Sequence, residues 1–192
     1  MLFVLFALVP GLFVRIDAVV IAHGVPDFSV TESTQEVLIF ISALLFGLCA
    51  VRNSDLKGFC VLSSGFLGCM LVRELDFLLD YIWHGFWFWP AMIIAISSIA
   101  YAVTTSRKTL LTEISSFIGT KPYFYISLGI IIVVFFSRIF GSGNLLWSDL
   151  LKANYTHEFK SALQEGLELF GYLFIFYGSL LYAKEKATKN PI

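Results

Sequence analysis

Three ionisable residues crowd into one apolar stretch, and their types and spacing could support chemistry. Arg73, Glu74 and Asp76 fall within four positions inside the apolar run 58–80. On insertion scales, each such charge costs about 2.5–3.5 kcal/mol near the centre of a bilayer. We therefore expect these side chains to face protein or a water-filled cavity, where they could bind a cation, exchange a proton or pair with one another.

A second set of charges lies late in the chain. Glu165, Glu168 and Tyr172 recur at helical spacing on one polar stripe, and Arg138 ends the preceding apolar segment. Counted over the apolar segments, three arginines meet five carboxylates; these are Arg15, Arg73 and Arg138 against Asp17, Glu74, Asp76, Glu165 and Glu168. Because arginine stays protonated, about two carboxylates would remain unbalanced at low dielectric unless a proton or cation joins them.

This surplus predicts a site that binds a ligand or a proton. Its predicted members are Glu74, Asp76, Glu165, Glu168, Arg73, Arg138 and Tyr172. The alternative is purely structural, because buried ion pairs can hold helices together. The natural pairs would then be Arg73–Glu165, Arg138–Glu168 and Arg15–Asp76.

Histidine offers a second and separate hypothesis. The three histidines fall at the ends of apolar segments, where an acidic residue could complete a divalent metal site of the zinc type. The predicted ligands are His84, His157, His23 and Asp80. The spacing of helical ligand pairs such as HExxH is absent, so histidines that simply face water are the alternative.

Composition sets the environment in which these residues must work. The chain is 58% hydrophobic and 14% charged, whereas a soluble domain is about 45–50% apolar and about 25% charged. These values predict a polytopic membrane protein with the lipid bilayer as its surroundings. A net charge of −1, without a basic block, argues against nucleic acid as a partner.

Six segments approach the roughly 20 apolar residues that a spanning helix needs. We therefore predict an all-α bundle of six transmembrane helices, forming one domain over 1–184, with a cytoplasmic tail at 185–192. The predicted spans are Leu2–Ala22, Thr34–Val51, Gly58–Asp80, Phe86–Thr104, Pro122–Phe140 and Glu158–Ala183. Apolar stripes predict short interfacial helices in the loops 105–121 and 141–157, and Ser33 and Glu36 have the spacing of a capping box.

The orientation follows from lysine and arginine, which concentrate in cytoplasmic loops. One set of loops and the tail carry most of these residues, so both termini should be cytoplasmic and the membrane should be the cytoplasmic (inner or plasma) membrane. All four tryptophans then fall at the outer interface, as an aromatic belt would. The charged cluster falls in the outward half of the bundle.

Three functions follow from this arrangement. The first is transport or sensing of a proton, a cation or a small cationic solute at the charged cluster. The second is a membrane-embedded enzyme, with or without a metal, that acts on a lipid or lipid-linked substrate at the outer leaflet. The third is an accessory subunit whose charges pair with a membrane partner protein or with a second copy in a homo-oligomer.

Overall fold

A computed structural model describes residues 2–22, 29–152 and 156–189 of the chain. Within these ranges the chain is helical, and no β-strand occurs. The helices are α1 (Leu2–Ala22), α2 (Val30–Arg52), α3 (Lys57–Glu74), α4 (Asp76–Leu79), α5 (Phe88–Thr105), α6 (Leu110–Phe117), α7 (Lys121–Ile131), α8 (Ser137–Phe140), α9 (Ser148–Leu151) and α10 (His157–Lys189). A 3₁₀ turn covers Ser54–Leu56, and π-helical segments cover Ile132–Phe136 and Gly143–Trp147.

Five segments in the described part of the chain are long and apolar enough to cross a membrane. They are Val30–Arg52, Ser54–Glu74, Phe88–Thr105, Lys121–Phe140 and Glu158–Thr188. The all-helical class is therefore confirmed, and the five segments are compatible with a multi-pass membrane protein. The first predicted segment does form α1 with the predicted bounds, but a sixth span and the positions of the termini stay predictions.

Helices also form in the two loops for which short helices were predicted. Leu110–Phe117 is a helix in the first loop, and Gly143–Trp147 and Ser148–Leu151 are helical in the second. Their location at a membrane interface stays a prediction.

The third predicted span is wrong at its end. The α-helix stops at Glu74, and Leu75 has φ −83° and ψ 15°, away from helical values, before the chain turns again at Asp76–Leu79. Arg73, Asp76 and Asp80 consequently do not lie on one continuous helix, although the predicted span Gly58–Asp80 would place them on one. Asp76 is exposed in the structure.

The fifth predicted span is interrupted by wider helical turns. Residues Ile132–Phe136 are π-helical between α7 and α8, and the Ser137 hydroxyl donates a hydrogen bond to the Val133 carbonyl at the end of this segment. A π-helical turn adds one residue to the helix and is often found near functional sites. It sets the direction of the residues that follow, Arg138 among them.

The chain divides into two compact units, each of which is described by itself. Unit 1 comprises Met1–Gln35 and Ser127–Ile175, and unit 2 comprises Glu36–Ile126 and Phe176–Ile192.

Unit 1 contains a close approach of two helices at a pair of glycines. A Cβ atom on Gly171 would lie 2.5 Å from Val133 Cγ2 and 2.8 Å from the Gly129 carbonyl oxygen, and one on Gly129 would lie 2.5 Å from the Gly171 carbonyl oxygen. Small residues let membrane helices pack backbone to backbone, and at this point no side chain fits.

Unit 2 is held together by a helix pair and an aromatic cluster. A Cβ on Gly65 of α3 would lie 2.5 Å from Ser98 Cβ of α5, so these helices also approach closely. Phe46 stacks on Tyr182 with ring centroids 5.0 Å apart, and Phe59 lies 4.7 Å from Phe117. These rings bury large apolar surfaces in one contiguous core.

Candidate functional site

Asp17 of α1 is buried and holds the beginning of α2. Its carboxylate accepts hydrogen bonds from the backbone N–H of Val30 at 2.8 Å, the N–H of Thr31 at 3.0 Å and the Ser29 hydroxyl at 2.7 Å. The Thr31 hydroxyl donates a fourth. The first N–H groups of a helix have no partner within it and carry its positive end. Asp17 therefore has a structural role that the sequence did not reveal.

The predicted capping box at Ser33 and Glu36 is wrong, because both residues lie inside α2. The helix begins one turn earlier, where the Glu32 N–H donates to the Ser29 hydroxyl at 3.3 Å. Ser29 and Glu32 have the same spacing four residues earlier, and this hydrogen bond is one of the two that define a capping box.

Glu168 of α10 is buried and lies beside two partners that fix its carboxylate. Arg138 Nη2 lies 3.7 Å from Glu168 Oε1, with the glutamate side chain 7% exposed and the arginine 45% exposed. The Gln164 side-chain amide donates to the same oxygen at 3.2 Å. The predicted pair Arg138–Glu168 is therefore present.

Glu165 lies one turn before Glu168 and has a different environment. Its carboxylate interacts electrostatically with the carboxylates of Glu32, Asp17 and Glu168. Within the described ranges, neither a hydrogen bond nor an ion pair reaches this carboxylate. The backbone carbonyl of Glu165 accepts a hydrogen bond from the Gln35 side chain at 3.0 Å, which ties α10 to α2 at this level.

Two glutamines in this region were missed. Gln35, in the first half of α2, is 2% exposed. The Gln164 side-chain amide donates a hydrogen bond to the Glu168 carboxylate. The available signal was their position within membrane-spanning segments, where polar side chains are costly and almost always bonded.

Three of the remaining predicted site residues, Arg73, Glu74 and Asp76, belong to unit 2. There Arg73 Nη1 lies 3.1 Å from Glu74 Oε1, with side-chain exposures of 40% and 13%. The predicted pairs Arg73–Glu165 and Arg15–Asp76 join residues of different units and stay predictions. Tyr172 is fully buried on α10, one turn beyond Glu168.

Two of the four predicted metal ligands meet in the turn before α5. His84 Nδ1 and Asp80 Oδ2 are 2.8 Å apart, and the Gly85 N–H donates to Asp80 Oδ1 at 2.8 Å. These two hydrogen bonds, from Gly85 first and His84 second, hold the pKa of Asp80 below its ordinary value. They close a turn in which Gly85 has φ +82°, and the His84 side chain is 99% exposed.

His23 and the side chain of His157 lie outside the described part of the structure. Among the residues that are described, no three histidine, cysteine, aspartate or glutamate side chains form a cluster suited to a metal. The metal site stays a prediction.

A further buried carboxylate, which the sequence did not single out, lies in unit 2. Glu113 of α6 is 4% exposed. It accepts hydrogen bonds from the Phe59 N–H at the beginning of α3, at 2.8 Å, and from the Thr109 hydroxyl at 2.5 Å. Leu56, which precedes α3, provides no capping side chain. Glu113 therefore caps α3 from a distant part of the sequence.

Comparison of the chain with models of protein families, with curated proteins and with solved structures finds no match.

Proposed function

We propose that this protein binds a proton, a cation or a small cationic solute at Glu165, as a transporter or sensor in a membrane. The single observation that carries the proposal is the environment of Glu165, a half-buried side chain one turn from the buried Glu168 on the same helix, with the Glu32 and Asp17 carboxylates as further electrostatic neighbours. Five helices compatible with a multi-pass membrane protein provide the setting. In such surroundings a negative charge is poorly solvated, and a bound cation offsets both the desolvation and the repulsion.

The side chains near Glu165 have different roles in the proposed site. Asp17 already accepts four hydrogen bonds, so its charge is compensated by the start of α2. Glu168 is oriented by Arg138 and Gln164. Glu165 is thus the primary ligand, Glu168 a second ligand with fixed geometry, and Tyr172 a hydroxyl one turn deeper on the same helix.

The rest of the proposal follows the charge pattern of the sequence. Arg73, Glu74 and Asp76 lie in unit 2, and their part in binding stays a prediction. Both termini lie on the cytoplasmic side of the cytoplasmic membrane, and the site opens outward, because lysine and arginine concentrate in the opposite loops.

The test compares three variants in reconstituted vesicles. Proton uptake is followed with an enclosed pH-sensitive dye, and binding of Na⁺, Ca²⁺ and tetraphenylphosphonium by calorimetry. We expect Glu165→Gln to weaken binding or uptake by about tenfold or more, the size of one lost close charge interaction at low dielectric, and Glu168→Gln to weaken it less. Asp55→Asn, an exposed carboxylate of unit 2, is the control and should behave like the wild-type protein. If Glu165→Gln and Glu168→Gln both bind and transport as the wild type does, the proposal is wrong.

A further inference from the structure

An open apolar groove lies within unit 1 between α1 and α10. It has a volume of about 380 Å³ and runs between Ala7–Val14 on one helix and Ala162–Phe170 on the other. Small residues at helical spacing form its floor, among them Gly11 and Gly166. A Cβ atom on Gly11 would meet nothing within 4 Å, so this part of the groove is open space.

The lining of the groove favours a lipid as its occupant. Its walls are apolar, and a single hydrocarbon chain fits lengthwise along the roughly two turns of helix that form each wall. The α10 wall belongs to a segment that can cross a membrane, where acyl chains are the surrounding solvent.

Basic residues lie one and two positions beyond the end of the groove on the two helices. Arg15 follows Gly11 by four positions and is exposed. Lys160 precedes Leu163 by three positions and lies in the first turn of α10. Residues three or four apart share a helix face, so the two cations continue the two walls of the groove. Glu158 lies in the same turn of α10 as Lys160.

We propose that this groove binds one acyl chain of a phospholipid and that Arg15 and Lys160 bind its phosphodiester. An apolar cleft that ends in two cations matches a lipid, whose hydrocarbon is joined directly to an anionic phosphate. Basic residues near a membrane surface attract the anionic phosphate of lipids. The groove walls contain no carboxylate, so this proposal stands or falls independently of cation binding at Glu165.

The experiment titrates the purified protein in detergent with defined lipids and counts bound lipids by native mass spectrometry. The probes are phosphatidylglycerol and phosphatidylethanolamine, which both carry the phosphodiester, and diacylglycerol, which lacks it. Gly11→Leu fills the groove without a clash, and Leu12→Phe adds bulk to α1 at a side chain that is already 56% exposed. The double variant Arg15→Gln/Lys160→Gln removes the cations and leaves the groove open.

We expect one tightly held phospholipid per chain, weakened about tenfold or more by Gly11→Leu and unchanged by Leu12→Phe. The double variant should weaken both phospholipids by about tenfold or more and leave the weaker diacylglycerol binding unchanged. Phospholipid binding that is equal in the wild type, Gly11→Leu and the double variant would overturn the proposal. So would a lipid-free dimer that Gly11→Leu dissociates, because a second copy would then cover the groove.

Discussion

Unit 1 and unit 2 each bury one carboxylate at the beginning of a helix, and they differ in the other carboxylates around it. The Asp17 carboxylate accepts four hydrogen bonds at the beginning of α2. The Glu113 carboxylate accepts one from the Phe59 N–H in the first turn of α3 and another from the Thr109 hydroxyl. Among the described residues, unit 1 adds a carboxylate, Glu165, whose electrostatic neighbours are other carboxylates. In unit 2, polar side chains of the helices donate instead to backbone carbonyls, as Ser64 does to Ala43 and Cys69 to Ala91.

This contrast teaches how to separate structural from functional charges in such a chain. A buried carboxylate surrounded by donors is explained by the fold, because the donors compensate its charge. A carboxylate whose electrostatic neighbours are other carboxylates is not explained in this way, so it is the candidate for ligand binding. Substitution of Glu113 in unit 2 should change stability alone, whereas unit 1 should contain residues that change binding alone.

The largest expected effects on stability come from replacing the two carboxylates that cap α2 and α3. Asp17→Ala should lower the free energy of unfolding by about 3–5 kcal/mol, because four donors lose their acceptor, and Glu113→Ala by about 2–3 kcal/mol, because two do. Unfolding in mixed micelles of mild and denaturing detergent measures both. Asp55→Ala, at an exposed position, should change the stability little. A stable Asp17→Ala protein that has lost cation binding would break the comparison, since Asp17 would then belong to the binding site.

The close glycine contacts of the two units should respond differently to a second substitution that is meant to remove the clash and restore stability. Gly65→Ala and Gly171→Ala should each cost about 1–3 kcal/mol through overpacking. Ser98→Gly should restore at least half of the loss in Gly65→Ala, because the clash is with the Ser98 side chain. The Gly171 clash includes the backbone carbonyl of Gly129, so Gly129→Ala would only worsen it. Unfolding of the single and double variants decides the matter, and Gly11→Ala serves as the control without neighbours. Equal stability of Gly65→Ala with and without Ser98→Gly would contradict the assigned contact.

The smallest effect concerns Asp80, a solvent-exposed carboxylate of unit 2 that has donors. Because its pKa is lowered in the folded protein, its stabilising contribution is present above the ordinary aspartate pKa of about 3.9. It is lost as the pH falls through the lower, folded value. The unfolding midpoint of the wild type should therefore fall more steeply from pH 5 to pH 3 than that of Asp80→Asn. Identical pH profiles would show that the turn at Gly85 does not depend on this carboxylate.

Helix positions could be predicted from the sequence because the apolar length of a segment is a local property. The bounds of α1 agree with the prediction, and α5 and α10 begin within two residues of it. The break at Leu75 and the π-helical turns at Ile132–Phe136 were not predictable in this way. Both depend on how the backbone packs, and neither segment contains a proline or glycine to mark it.

The candidate site was predictable only where opposite charges stood at matching depths. Arg138–Glu168 followed from such a match. The roles of Asp17 and Glu113 did not, because each carboxylate accepts from an N–H in the first turn of a helix, 14 and 54 positions away, respectively. Glu113 lies in the predicted loop 105–121, where a charged residue is not unusual and does not indicate a buried role. A local pattern cannot show which distant helix start will need an acceptor.

The sequence distances between these contacts also order them in time during synthesis. At about 5–20 residues per second, Thr31 follows Asp17 by about 1–3 s, and the cap of α2 can form while most of the chain is still unmade. Glu113 follows Phe59, 54 positions earlier, by about 3–11 s. The hydrogen bond from Gln35 to Glu165 spans 130 positions and must wait about 7–26 s. A nascent chain therefore holds Gln35 without its partner for that interval, and unit 1, which begins first, is completed only after residues 36–126 of unit 2 have been made.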